Sequence, residues 1–392
     1  MRNKKITTAV VAAALMGLAQ PALADSAETK GGIKIKTDDG RFAASIGGRI
    51  HYDANLFVDD DDAAQVGGTL FRRARLTLAG KAYGWEYKFE NDFAGQSGTA
   101  GSGFRDMYIA TKVGPGKLHI GQFKPYRGME ELTSSNELTV MERGFSSASG
   151  ILGQQFVSGL GYLVAADAYT VGLSAYNLGS GATVQTEGYG ASSRVTVAPV
   201  RGDGTVVHVG AFASMDNPHN GATAGSSSVR YAGRLGPSRS IGGTAADRER
   251  TMYGLEAAAA LGPFFVQSEI VTASLDQGSA TPAEHEVQAY YVMASVHVTG
   301  ESKPYSKGVF KSVKPSGAMG AVELVAKYDV IENKDIPDRQ VTTITAGANY
   351  YVNPNVRFML NYVMGTSDAD TGADGSLGRD IGTVTARTQF NF

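Results

Sequence analysis

Charged and polar side chains recur at alternate positions of one segment near the N-terminus, and apolar side chains fill the positions between them. The first set is Arg73, Arg75, Thr77 and Lys81, and the second set is Leu70, Ala74, Leu76 and Leu78. Because successive side chains of a β-strand point to opposite faces, this segment would present one cationic and one apolar face. Arginine binds oxyanions through paired hydrogen bonds, and lysine attracts them as a point charge. The spacing therefore predicts a cationic ladder that attracts anions.

The residues that most often perform enzymatic chemistry are absent or scattered. Cysteine is absent, and the six histidines stand apart without an H-E-x-x-H or G-x-S-x-G motif. Glu284-His285-Glu286 lacks a further ligand nearby in the sequence, and the acidic run at 59–62 lacks the interrupted spacing of calcium loops. The sequence thus predicts no enzyme and no metal or other cofactor, and it assigns the acidic run to a solvated external loop.

Residues 1–24 have the three parts of a secretory signal peptide. A basic start is followed by an apolar run over residues 6–18 and by an A-x-A cleavage site at 22–24. An uncleaved anchor is the alternative, although the run is shorter than the roughly 20 residues of a spanning helix. Export is therefore expected, with residues 25–392 as a single mature domain that is mildly acidic.

Alternation with a period of two continues through the mature chain. Over residues 384–392, Thr385, Arg387, Gln389 and Asn391 alternate with Thr388 and apolar residues. Charged side chains in mid-strand opposite an apolar face are typical of a wall with lipid outside and water inside. The pattern predicts an all-β transmembrane antiparallel barrel of sixteen strands, at 42–57, 69–83, 85–94, 103–113, 117–124, 154–165, 168–177, 185–198, 204–217, 250–261, 263–275, 284–299, 319–331, 339–352, 355–367 and 379–392.

The connections between these strands alternate between tight and long. Gly84, Gly262-Pro263 and Asn353-Pro354 are among the tight turns, and longer loops lie between them. Short turns on one side and long loops on the other are typical of outer-membrane barrels, which must close because lipid cannot satisfy an open strand edge. Segment 300–318 is an exception, because it is a long connection on the side of the barrel where the other connections are short. A soluble β-helix or sandwich array is the alternative, but no repeat of fixed period is present.

Composition is consistent with one membrane domain. A soluble chain of 392 residues would be expected to divide into two or more domains, yet the chain has only 12 prolines and no linker. A formal net charge of −2 argues against a nucleic-acid-binding protein. The terminal Phe392 resembles the aromatic sorting signal of outer-membrane barrels, so the barrel-assembly machinery is an expected partner.

Several short motifs resemble the phosphate-selective porin O and P family, and they span nearly the whole mature chain. They are Phe71-Arg72-Arg73-Ala74-Arg75, Gly121-Gln122-Phe123, Thr133-Ser134-Ser135, Met141-Glu142-Arg143, Thr299-Gly300-Glu301, Phe310-Lys311, Lys314-Pro315, Glu323-Leu324 and Tyr328-Asp329. The resemblance implies a homotrimer of barrels among outer-membrane lipid and lipopolysaccharide, each with a narrow pore for phosphate or other small anions. It also implies that the loop at 125–153, after the fifth strand, folds inward as the constriction.

The cationic ladder and the resemblance together assign a set of residues to this constriction. The set is Arg73, Arg75, Lys81, Asp92, Lys124, Glu131, Ser134, Ser135 and Arg143. Ser134, Ser135 and Arg143 match positions that contact the ion. Asp92 matches an aspartate that keeps the site from holding anions too strongly, and an ion pair with Arg73 or Lys81 is its alternative role.

This chain departs from the family at the centre of the constriction. Glu131 stands where the family has its central lysine, and a carboxylate repels a phosphate dianion at close range. Arg75 and Lys124 stand where the family can have pore tyrosines, so cationic charge is redistributed. A porin of weak or different selectivity on the same scaffold is therefore the alternative function. For the cationic ladder, the alternative is the ordinary basic wall of a porin, which has no preference for phosphate.

Two further basic groups are expected at the ends of the pore. Arg230 and Arg234 match arginines of the family's outer mouth, and Arg239 is displaced by one position from another. Segment 300–318 contributes Lys303, Lys307, Lys311 and Lys314. In the family such lysines draw anions toward the periplasm. A solvated loop and a basic turn against an acidic rim are the alternatives.

A passive porin for phosphate or related small anions is the predicted function. A barrel that only anchors an adhesin or a hydrolase is the competing class. It would need a long external domain or an assembled catalytic triad, and the sequence contains neither.

Overall fold

The computed structural model describes residues 26–28, 32–60, 65–94, 103–148, 150–153, 155–179, 187–219, 228–242, 249–276, 283–368 and 379–392. Within these residues there are two helical turns, Met129–Leu132 and Phe145–Ala148, and no helix long and apolar enough to cross a membrane. The strands of the described residues are β1 (Ser26–Glu28), β2 (Ile33–Lys36), β3 (Phe42–Asp60), β4 (Gly68–Ala82), β5 (Trp85–Asp92), β6 (Phe104–Val113), β7 (Gly116–Phe123), β8 (Val157–Ala165), β9 (Tyr169–Asn177), β10 (Tyr189–Gly202), β11 (Thr205–Asn217), β12 (Ser228–Arg230), β13 (Ser238–Ser240), β14 (Glu249–Leu261), β15 (Phe264–Asp276), β16 (Glu284–His297), β17 (Tyr305–Ser306), β18 (Val309–Phe310), β19 (Ala321–Asn333), β20 (Gln340–Asn353), β21 (Val356–Ser367) and β22 (Arg379–Asn391).

Sixteen of these strands form one closed antiparallel barrel. They are β3 to β11, β14 to β16 and β19 to β22, and each pairs with its neighbour in the chain. The last strand, β22, pairs back with β3, from Asn391 opposite Arg49 to Ile381 opposite Asp60. The predicted sixteen-stranded barrel is thereby confirmed, and every predicted segment overlaps one observed strand.

The two faces of the wall follow the predicted alternation. In β22 the side chains of Thr385, Arg387 and Gln389 are buried inside, whereas Thr388 and Phe390 are exposed on the outer face. The outer face thus supplies the apolar band that lipid requires, and the inner face supplies the polar lumen.

The barrel closes at the C-terminal residue. The backbone of Phe392 exchanges two hydrogen bonds with Gly48 of β3, at 2.9 and 3.1 Å, and its ring stacks on Phe390 with centroids 5.9 Å apart. A Cβ at Gly48 would lie 2.6 Å from the Phe392 ring, so only glycine leaves room for this seam. A sorting role for Phe392 stays a prediction.

Among the β-bulges of the barrel, one in β4 and one in β6 break the alternation on the inner wall. His51 pairs with Arg73 and Tyr52 with Phe71, which makes Arg72 an extra residue of β4. On β6, the two residues Arg105 and Asp106 lie opposite the single residue Glu90, because Phe89 pairs with Met107 and Asn91 with Phe104. A bulge re-aims side chains locally. At each bulge, two consecutive charged residues therefore reach the lumen.

The bulge in β4 corrects one detail of the sequence interpretation. Leu70 was expected on the same face as Leu76. It pairs instead with Asp53, whose side chain is buried in the lumen, while Phe71 is 57% exposed on the outer face. The extra residue shifts the parity of the strand upstream of Arg72, so the Leu70 prediction is wrong.

The described residues of the loop between β7 and β8, which are 124–148, 150–153 and 155–156, lie inside the lumen and are fixed to the far wall. The carboxylate of Glu269 in β15 accepts the backbone N–H groups of Met129 and Glu130 at 2.5 and 3.0 Å. The Asp329 carboxylate in β19 accepts the N–H of Phe145 at 3.1 Å, and Asn361 in β21 accepts that of Met141 at 3.0 Å. These anchors leave the pore on the opposite side, between this loop (hereafter the inward loop) and strands β3 to β8.

The connection 298–320 between β16 and β19 also folds into the barrel. Its hairpin of β17 and β18 places the Phe310 ring 4.9 Å from the rings of Phe265 and Tyr305. Ser312 donates its hydroxyl to the Asn136 carbonyl of the inward loop at 3.0 Å. The sequence analysis identified this connection as exceptional in length but did not predict that it enters the lumen.

Candidate functional site

A cavity of about 250 Å³ separates the inward loop from the β3–β8 wall. It is lined by Arg49, Arg75, Lys88, Glu90, Asp106, Tyr108, His119, Phe123, Lys124, Tyr126, Leu132, Ser134, Ser135, Arg143, Gln155, Phe156 and Leu163. Cationic residues outnumber acidic residues here, five to two. We call this cavity the constriction.

The wall side of the constriction is an ion-paired network. Arg75 donates from Nη1 to Glu90 at 2.9 Å and from Nε to Asp92 at 2.8 Å. Arg105 lies 3.6 Å from Asp92, and Lys88 pairs with Asp106 at 2.5 Å. The alternative role considered for Asp92 was an ion pair. Asp92 is indeed paired, but its partners are Arg75 and Arg105 and not Arg73 or Lys81.

Arg49 of β3 connects this network to the two loop serines. Its Nη1 donates to Ser134 Oγ at 3.2 Å and to Ser135 Oγ at 3.0 Å, and its Nη2 donates to Glu90 at 2.7 Å. Sequence reasoning did not single out Arg49. The even spacing of Arg49, His51, Asp53 and Asn55 could have placed it in the lumen, but its contact with the serines depends on the loop fold.

Two cations of the loop side are not ion-paired. Lys124 donates to the backbone carbonyl of Glu131, and Arg143 donates to the carbonyls of Glu130 and Thr133 at 3.0 and 2.6 Å. Among the described residues no carboxylate oxygen lies within 4 Å of either cationic group. Burial, and then the nearby charge of Arg143, hold the pKa of Lys124 well below its usual value. Both cations line the constriction, and the carboxylates of Glu131 and, for Arg143, Glu130 act on them only from beyond 4 Å.

Glu131 is turned into the inward loop and away from the pore. One carboxylate oxygen accepts hydrogen bonds from Ser147 Oγ at 2.5 Å and from Gln155 Nε2 at 3.1 Å. The side chain is only 1% exposed. The sequence placed Glu131 at the centre of the site, but the structure gives it an internal role in the loop.

A larger cavity of about 520 Å³ is also lined by the inward loop and shares Arg75, Arg143 and Gln155 with the constriction. Its basic residues are Arg72, Arg73, Arg75, Arg105, Arg143, Arg230, Arg234 and Lys327, against the acidic Asp53, Glu142 and Asp329. We call it the outer vestibule. Arg230 and Arg234 both line this cavity, and their role at the outer mouth of the pore stays a prediction. Arg239 does not line it and donates to the Asp368 carbonyl at 2.7 Å.

A second network of ion-paired residues stabilises the wall of the outer vestibule. Arg387 of β22 binds Asp53 through two hydrogen bonds of 2.7 Å and Glu142 through one of 2.8 Å. Arg72, the extra residue of the β4 bulge, makes two hydrogen bonds of 2.9 Å to the same Glu142. Although burial raises it, the pKa of Glu142 is held well below its usual value by Arg72 and Arg387. Arg73 lies beside His51 at 3.3 Å.

One of the four lysines predicted at the periplasmic exit borders a cavity that adjoins the constriction. Lys307 borders a space of about 170 Å³ together with Arg194, and that space shares Tyr126, Leu132 and Leu163 with the constriction. Lys303 is instead buried in an ion pair of 2.9 Å with Glu323. Lys311 is half-buried, and Lys314 is exposed.

Lys81 is set apart from the other predicted constriction residues. It is exposed near the end of β4 and pairs in the ladder with Glu86. Six residues separate it from Arg75, a distance of roughly 20 Å along a strand. The ladder therefore reaches the constriction through Arg75, and Lys81 lies outside it near the end of the strand.

A closed barrel with an inward loop and a charged lumen defines a class of protein, the porins of bacterial outer membranes, which are channels and not enzymes. The chain belongs to the family described as phosphate-selective porin O and P, which it matches over residues 45–392. It is 31% identical to Porin O of Pseudomonas aeruginosa over 415 aligned positions, covering 93% of this chain and 92% of that protein.

Solved porin structures share the fold at low sequence identity. The anion-selective porin from Comamonas acidovorans superposes with a TM-score of 0.59 at 15% identity, covering 90% of this chain and 100% of that chain. OmpT of Vibrio cholerae superposes with a TM-score of 0.58 at 14% identity, covering 90% and 98%. These likenesses establish the barrel architecture.

Proposed function

We propose that this porin passes small anions by passive diffusion, with phosphate and related oxyanions among its substrates. The observation that carries the proposal is the pair of cations, Lys124 and Arg143, that line the constriction with no carboxylate of the described residues within 4 Å. A narrow passage with unpaired positive charge favours anions and repels cations. Membership of a family described as phosphate-selective, and the relationship to Porin O, support the same direction.

The order of the charges supports passage rather than retention. An anion would meet Arg230, Arg234 and Arg73 in the vestibule, then Arg143 and Lys124, and then Lys307. The carboxylates of Glu90 and Asp92 reduce the field of Arg49 and Arg75. Several moderate sites in series allow an ion to enter and to leave, which conduction requires.

Altered selectivity on the same scaffold is the second candidate, and a specific contact favours it. The hydroxyls of Ser134 and Ser135 both accept hydrogen bonds from Arg49, and no lysine stands at position 131. A phosphate ion would have to share the serines with Arg49. We therefore expect weaker phosphate binding than a site with a free central lysine would give.

Phosphate block of chloride current tests the proposal. In planar bilayers, phosphate should reduce the chloride current in a saturable way. Glu131→Gln should strengthen the block severalfold, because it removes a negative charge near Lys124 and Arg143 while keeping an oxygen to accept from Ser147 and Gln155. Asp39→Asn makes the same change at an exposed residue and should leave the block unchanged. A chloride current insensitive to phosphate in the native channel would contradict oxyanion transport.

Lys307 provides a separate prediction, because its backbone is strained. Lys307 and Gly308 form the two-residue turn between β17 and β18, with φ of 53° and 76°. A left-handed conformation disfavours lysine, and asparagine tolerates it better. We expect Lys307→Asn to stabilise the barrel by about 0.5–1 kcal/mol and to lower chloride conductance at low salt.

Lys314→Asn is the matched control for this change. It removes the same charge from an exposed position in the same connection. Conductance measured in dilute KCl, together with thermal unfolding, distinguishes the two variants. Equal conductance in both would show that Lys307 takes no part in ion passage.

We further propose that the mature chain begins at Asp25 and assembles as a homotrimer. The signal-like sequence of residues 1–24 supports the first part. OmpT of Vibrio cholerae, a structural neighbour, has been solved in a trimer form, which supports the second.

A further inference from the structure

The constriction changes character along its length. The residues that it shares with the outer vestibule are Arg75, Arg143 and Gln155, all polar. The residues that it shares with the cavity of Lys307 are Tyr126, Leu132 and Leu163, which are largely apolar. A short apolar neck therefore separates the cations Lys124 and Arg143 on one side from Arg194 and Lys307 on the other.

Aromatic rings extend this neck along the wall. The Tyr126 ring lies 6.0 Å from that of Phe123 and 6.3 Å from that of His119, and the His119 ring lies 5.1 Å from that of Tyr108. Phe156 lies on the other side of the cavity, with Lys124 and Arg105 each 5.6 Å from its centroid. Cationic groups and ring faces are thus presented to the same space.

The wall is shaped to hold these rings in place. A Cβ at Gly172 would lie 2.6 Å from the Tyr126 ring, and a Cβ at Gly161 would lie 2.7 Å from the Phe123 ring. Tyr126 also donates its N–H to Ser174 Oγ at 3.0 Å, and its hydroxyl lies 3.1 Å from His119 Nδ1. These contacts hold the rings of Tyr126 and Phe123 in place, so the neck is a fixed part of the pore wall.

From this arrangement we infer that the pore also binds and passes organic carboxylates with a small planar apolar body, such as aromatic acids. The inference rests on the proposed function, because it presumes an anion-conducting pore. Its basis is the juxtaposition of the unpaired Lys124 and Arg143 with the apolar neck of Tyr126, Leu132 and Leu163.

The physical reason lies in desolvation. A compact, strongly hydrated ion loses water without compensation when it crosses an apolar passage. An aromatic carboxylate places its ring against the neck while its carboxylate stays near a cation, so it gains from both surfaces. The volume is sufficient: about 150 Å³ holds benzene in an apolar cavity, and the constriction measures about 250 Å³.

Block of the chloride current by benzoate, compared with acetate, tests this inference. Both ions carry a carboxylate that is ionised at pH 7, and only benzoate has a ring. In bilayers containing the full channel, we expect benzoate to reach half-block at a concentration about fivefold lower than acetate, the equivalent of roughly 1 kcal/mol of ring burial. Equal half-block concentrations in the native channel would overturn the inference.

Variants of the neck locate the effect. Leu132→Asn and Leu163→Asn should each bring the benzoate and acetate values together, while Val363→Asn, in the outer vestibule, should leave them apart. Two neck variants that both keep the benzoate advantage would refute the assignment to this site.

The zero-current potential in a KCl gradient, measured on the same channels, tests the proposed function separately. A cation-preferring channel refutes anion transport, whereas an anion-preferring channel without benzoate preference refutes only the present inference.

Discussion

Lys124→Glu is expected to abolish the preference of the channel for chloride over potassium. Among the described residues, the ammonium group of Lys124 donates to a backbone carbonyl and lies 5.6 Å from the centroid of the Phe156 ring. Its replacement by a carboxylate changes the local charge by two units. A unit charge at 4 Å is worth about 4 kcal/mol at an effective dielectric constant near 20, and less in a wet pore. We therefore expect the chloride-to-potassium permeability ratio to fall at least about tenfold, or roughly 1.4 kcal/mol.

Lys81→Glu is the matched control for this experiment. It makes the same charge change on the same inner face, but roughly 20 Å from Arg75 along the strand and at an exposed position. The zero-current potential in a tenfold KCl gradient reports both variants. If Lys81→Glu changed the ratio as much as Lys124→Glu, selectivity would depend on the total charge of the lumen and not on the constriction.

Arg387→Met is expected to destabilise the barrel more than any other single change of the vestibule. Its guanidinium binds Asp53, Glu142 and the Met141 carbonyl, and the side chain is 1% exposed. Removing one partner of a buried charge network leaves carboxylates without compensation, which costs about 3–5 kcal/mol. The inward loop would also lose its link to β22 at residues 141–142, so the current should become noisier and less selective.

Arg41→Met provides the comparison for the stability measurement. Arg41 pairs with Asp39 at 3.6 Å, and both side chains are more than half exposed. Such surface pairs contribute less than about 1 kcal/mol. Urea unfolding of the refolded barrel in lipid vesicles measures both changes. Similar losses in the two variants would show that the Arg387 network does not stabilise the fold.

Much of the fold could be predicted from the sequence because the wall of a barrel is a local pattern. Alternation assigns the lipid-facing and lumen-facing side chains of β22, including Arg387. Turn residues such as Gly84 and loop lengths determine the order and the sides of the connections. The inward loop was expected from the family resemblance, with which the length of the segment after β7 agrees.

The features that could not be predicted from the sequence depend on irregular backbone geometry or on contacts between residues far apart in the chain. The bulges at Arg72 and Arg105 break the period of two, and consecutive charged residues give no sign of which one is extra. The burial of Glu131 follows from Ser147 and Gln155, which lie 16 and 24 residues away. The hairpin of β17 and β18 enters the lumen through aromatic packing on β15, which no local pattern encodes.

The zero-current potential of the native channel in a tenfold KCl gradient tests the central claim most directly. Because Lys124 and Arg143 at the constriction have no ion pair among the described residues, we expect the zero-current potential to have the sign of a channel that chloride crosses more readily than potassium. A potential of the sign produced by potassium would show that the carboxylates of Glu90, Asp92 and Asp106 dominate the pore, and it would contradict the account.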